Sequence, residues 1–149
     1  MKKITMMALA ALALSGGLAQ SRAQETRELV KLPPMMQEHM LRNMRDHLKA
    51  LNEILGALAE GKVDEAAQIA EKRLGMSSLA LHGSAHLARF MPEGMRAIGT
   101  QMHKSASRFV IAAKNAELSP DREALHATYG ALKKVTDNCI ACHGAYRLR

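Results

Sequence analysis

The residues of this chain that could do chemistry gather in two places. Cys139 and Cys142, the only two cysteines, stand with His143 in the run Cys139-Ile140-Ala141-Cys142-His143 near the C-terminus. On a helix, positions i and i+3 project from one face. Two thiols at that spacing can both reach one planar group while the next residue brings an imidazole beneath it. This is the arrangement that covalent haem attachment needs, with two thioether links to the porphyrin and an axial nitrogen to its iron. Other uses of the pair fit less well. A disulfide between them would close a very short loop and add little stability. A thiol–disulfide exchange pair is expected at a helix start beside a βαβ unit. Structural zinc needs four ligands, and there is no second cysteine pair.

The second gathering is Met35, Met36, His39, Met40, Met44 and His47. Thioether and imidazole donors suit copper, but a copper-handling role leaves the cysteine motif unexplained. They equally offer a sixth ligand to a haem iron. The remaining histidines read more plainly. His82 and His86, four residues apart, form at most a weak two-ligand clasp and are expected to be solvated. His103 and His126 lie beside the apolar stripes of their segments and are assigned no role.

Four helical segments must position these groups. Pro33-Pro34 opens the first and Glu60-Gly61-Lys62 closes it, with Leu41, Met44, Leu48, Leu51, Leu55 and Leu58 recurring every three or four residues as its expected apolar stripe. The second starts near Val63, with Asp64 and Glu65 in its first turn, and its stripe runs to Leu81 across Gly75. The third starts at Pro92 and carries Met95, Ile98, Met102, Ser105, Phe109, Ala112 and Ala116. Ser119-Pro120-Asp121 separates it from the fourth, with Ser119 expected as N-cap. That last helix shows Leu125, Tyr129, Leu132, Val135, Cys139, Cys142 and Tyr146 on one face. Short connections between amphipathic helices predict an all-α, antiparallel four-helix bundle.

Composition agrees. Aromatic residues make up 3% of 149 residues, against 48% apolar in total, which disfavours sandwiches and barrels and favours helices. Residues 1–23 read as a cleaved secretory signal: Lys2 and Lys3, the apolar stretch from Met6 to Leu14, then small residues at Ser21 and Ala23. Nine apolar residues are too few to span a bilayer, so stable membrane insertion is not expected. Export also removes Lys2, Lys3 and Arg22, so the 21 basic residues fall to 18 against 14 acidic ones and the net charge from +7 to +4. With no basic run of five or more, nucleic acid is not expected as a partner. The rest, residues 24–149, makes one domain.

With these features together, the chain resembles the class II c-type cytochromes, the cytochrome c prime family and its low-spin, methionine-ligated relatives. The resemblance rests on the export signal, the four helices and the signature Cys139-x-x-Cys142-His143-x-x-Tyr146-Arg147. It implies one haem c per chain, held through Cys139 and Cys142 inside the bundle near the C-terminal helix, with His143 as fifth iron ligand. It implies a sixth ligand on the first helix. Counting back from Ala66-Ala67, that position falls at Met44, with Met40 and His47 as secondary candidates, and Arg147 becomes a candidate contact for a haem propionate. The function implied is electron transport in the periplasm without catalysis, between redox partner proteins the sequence does not name, with a homodimer compatible. A vacant sixth position would instead imply a five-coordinate protein binding NO or CO.

Overall fold

The computed structural model describes residues 25–149; the expected signal at residues 1–23 lies outside them. Pro33, in an extended conformation, caps a helix that starts with Pro34, whose missing N–H costs nothing there. This helix, α1 (Pro34–Ala59), ends as its glycine predicts. Gly61 takes a left-handed φ of 74°. The Lys62 N–H then reaches the Ala57 carbonyl at 2.8 Å and the Gly61 N–H reaches Leu58 at 3.1 Å, the paired bonds of a Schellman close.

The inner face of α1 is not the expected leucine row. Met40, Ala50, Ile54 and Ala57 are buried, while Leu48 and Leu55 are 70% and 48% exposed. The reason lies in the partner. Helix α2 (Val63–Arg73) presents Ala66, Ala67 and Ala70, all buried, and two alanine faces let the backbones approach more closely than leucines would. The leucine row, displaced by roughly the 100° of one helical residue, turns toward the α5 side.

The second segment also stops early. α2 ends at Arg73, and the chain continues through a 3₁₀ turn at Met76–Ser78, a four-residue α3 (Ser84–Leu87) and a second 3₁₀ turn at Ala88–Phe90. Gly75 is extended and Gly83 is left-handed with φ 59°, so both glycines break the periodicity that Ser77 and Leu81 appear to continue. α4 (Glu93–Leu118) follows, with Pro92 as N-cap. Its expected stripe largely holds: Met95, Met102, Ser105, Phe109 and Ala116 are buried, and so is His103.

The N-cap of α5 (Arg122–Ala145) is Asp121, whose carboxylate accepts the Ala124 N–H at 2.7 Å. The expected cap, Ser119, instead terminates α4. A carboxylate both accepts this bond and faces the positive end of the helix.

α1 packs on α2, α2 on α4, and α4 on α5, around a core in which Phe109 is completely buried among small residues. The molecule is a packed bundle of helices. Along the α1/α5 side, Leu51, Leu55, Tyr129, Leu132, Lys133 and Thr136 line a groove of about 240 Å³. No described helix is long and apolar enough to cross a membrane.

One feature has no counterpart in the sequence patterns. Two-residue strands β1 (Glu28–Leu29) and β2 (Tyr146–Arg147) pair in parallel, and the Val30 N–H extends the pairing to the Arg147 carbonyl at 2.8 Å. The start of the described chain is thereby tied to the residues just after the cysteine motif.

Candidate functional site

The C-terminal half-turns of α5 carry Cys139 and Cys142, both half-buried and neither in a disulfide. Cys139 packs against the main core, and its thiol donates to the Val135 carbonyl at 3.4 Å. Cys142 packs against a second, smaller cluster built on Val30, Met40, Leu87 and Met95. Met36, Met44, Met91 and Tyr146 join that cluster. The cysteines thus sit at the junction of two apolar regions, and Met40 and Met44 of α1 come to the region of Cys142.

Burial pushes the pKa of both thiols above the usual cysteine value, and Cys139 adds to the effect on Cys142. A thiol–disulfide catalyst has the opposite property, a stabilised thiolate. The pair is therefore poor at exchange chemistry and well placed to be held against an apolar group. His143 is exposed on the next position. The Arg27 guanidinium donates to its carbonyl at 3.4 Å.

Tyr146 and Arg147 close the site. A Cβ on Gly94 would lie 2.5 Å from the Tyr146 hydroxyl oxygen, so the second residue of α4 must lack a side chain for this ring to lie there. The Gln37 side-chain amide donates to the Leu148 carbonyl at 2.6 Å, binding the tail to α1. Arg147 Nε is buried without a hydrogen-bond partner in the described structure. A buried, unpartnered guanidinium nitrogen beside the cysteine motif is the donor an anionic ligand group would satisfy. The thiol pair, the thioethers of Met40 and Met44 and this donor are the types of group that a haem with propionates would use.

His47, the third candidate on α1, lies elsewhere. It meets His82 and His103, with ring centroids 4.6 and 5.8 Å away. The expectations for these partners need correction. His82 is 8% exposed and not solvated, and His103 is 7% exposed and not peripheral. His82 is buried because the broken second segment folds back over α1, where its carbonyl accepts from His39 Nε2 and Asn43 Nδ2, each at 2.9 Å. His86 is exposed as expected. The signal for His103 was its place one residue beyond Met102 on a broad apolar face, which a strict 3/4 count discards. No family model matches the sequence, and no curated protein or solved structure shows significant similarity to it.

Proposed function

We propose that this protein is an exported, monohaem c-type cytochrome of the class II kind, an antiparallel four-helix bundle that carries electrons in the periplasm between partner proteins. The observation that carries the reading is the half-buried Cys139/Cys142 pair, followed by His143 and set against methionine thioethers of α1, with the unpartnered Arg147 Nε beside it. Haem bound there supplies a one-electron ferric/ferrous couple. Cys139 and Cys142 anchor the group covalently, and His143 provides the fifth iron ligand. Met44 provides the sixth, supported by its packing on the same cluster as Cys142. Met40 occupies that cluster one turn earlier and is the alternative donor, whereas His47 is engaged by His82 and His103. The apolar cluster of Met40, Met44 and Met95 would shield one side of a bound haem from water, and Arg147 would balance the charge of a propionate.

The test is optical. Protein made in a host competent for covalent haem attachment should retain its haem after denaturation and give a low-spin spectrum with the weak far-red methionine–iron band. Met44→Ala should abolish that band and open the ferrous protein to carbon monoxide. A wild-type protein that is high-spin and binds carbon monoxide would replace the carrier with a five-coordinate gas-binding protein. Absence of covalent haem would refute both.

A further inference from the structure

The three histidines apart from the cysteine motif come from three elements far apart in sequence: His47 from α1, His82 from the turn before α3, and His103 from α4. One ring nitrogen from each lies within 4.8 Å of the others. His47 Nε2 and His82 Nδ1 are 3.4 Å apart. Two nitrogens bound tetrahedrally to zinc at its ordinary bond length stand about 3.3 Å apart, so this pair already has the separation of two ligands on one ion.

Hydrogen bonding alone does not account for the cluster. The contacts among the rings and Ser78 are long, at 3.4 to 3.5 Å. Contacts at these distances are weak hydrogen bonds. The firm contact is from His103 Nδ1–H to the Leu74 carbonyl at 2.7 Å. It fixes the tautomer, so Nε2 carries the lone pair. An outward bond from one ring nitrogen to a backbone carbonyl is how metal-binding histidines are usually held. His82 is steadied by the two hydrogen bonds from α1 to its carbonyl, and Gly83 permits the left-handed turn that follows it.

We infer that His47, His82 and His103 form a second metal centre, independent of the haem reading, which takes a divalent transition-metal cation of the zinc class through three neutral imidazoles. Imidazole donors select such cations over magnesium or calcium, which prefer oxygen. The Asp46 carboxylate, next to His47 in sequence, supplies negative potential nearby and is itself held by Arg73. Three protein ligands leave a fourth position to water or to Ser78 Oγ, whose hydroxyl donates to the Gly75 carbonyl at 2.7 Å. Burial also lowers the pKa of all three rings, in the direction that favours the neutral form ligation requires.

The experiment is zinc titration of the exported protein as purified, stripped with a chelator and followed by competition with a chromophoric indicator. One zinc per chain is expected. His47→Gln and His103→Gln, each verified as folded by circular dichroism, should weaken binding by at least about tenfold, and His86→Gln should not. Unchanged haem bands in His47→Gln would show that this residue acts here and not on the haem iron. The inference fails if wild-type protein binds no stoichiometric zinc, or if folded His47→Gln and His103→Gln bind it as wild type does. Wild-type unfolding midpoints with and without zinc give a second readout: a rise in wild type that is absent from the variants is expected, and no rise overturns the site.

Discussion

His47 shows how much burial can do to one side chain. Removal from water, followed by the neighbouring His82 and His103, lowers its pKa from 6.5 to about 3. Burial likewise lowers His82, where His103 adds to the effect, and it lowers His103. A histidine whose pKa is depressed in the folded state binds fewer protons than its unfolded counterpart between the two values. Stability therefore rises with pH across that window and levels off above about 6.5. Acidifying the metal-free protein from pH 7 to 5 should cost about 2 kcal/mol through His47 alone, at roughly 1.4 kcal/mol per pH unit below 6.5. Asp46 contributes in a lower window: Arg73 depresses its pKa, so its stabilisation is lost only as the pH falls below the ordinary carboxylate range. Urea melts at pH 7, 6 and 5 should show a steeper acid loss for wild type than for His47→Gln. Parallel slopes would mean that the ring takes up its proton in the folded state.

At the scale of elements, the close approach of Tyr146 to α4 is the most exposed to a single change. Gly94→Ala puts a methyl group at 2.5 Å from the Tyr146 hydroxyl oxygen, so the ring must swing aside out of its place against α4 or shift β2 with it. Overpacking of this kind costs about 1–3 kcal/mol. The thermal midpoint should fall accordingly; an unperturbed variant would show that the ring turns away at little cost. The elements themselves were legible wherever one residue dictates backbone conformation. Pro33-Pro34 and Gly61 marked both ends of α1 correctly. The stripe of α1 was misread because leucine is the most visible apolar residue, whereas close α1–α2 contact selects Ala50 and Ala57 against Ala66, Ala67 and Ala70. At Gly75 the helical count ran on through a real break. Cys139, Cys142 and His143 lie within one turn of α5 and so stand out in the sequence, whereas the histidine cluster does not. It depends on a return of the chain from Gly75 to Gly83 that no local pattern encodes, and the β1–β2 pairing is equally non-local.

For the whole molecule, the decisive fact is that the four long helices do not pack equally. α4 lies between α2 and α5 and buries Phe109, Ala106 and Ala113 completely. α1 rests on α2 along its alanine face, while Leu51 and Leu55 border the open groove toward α5 and Leu48 is exposed. Local stability follows the apolar contacts an element would lose on opening. In haem-free protein, made by replacing Cys139 and Cys142 with serine, amide hydrogen exchange should therefore be slowest in α4 and at least about tenfold faster in the half of α1 around Leu48 to Leu55. If the proposed haem is bound, it should slow exchange in α1 more than in α4, because the group would add contacts between α1 and α5 to those that Met40 and Met44 already make in the cluster around Cys142. Equal protection of α1 and α4 in the haem-free chain would mean that the alanine contact suffices to hold α1. The cofactor would then add chemistry to an already closed bundle and contribute little to its closure.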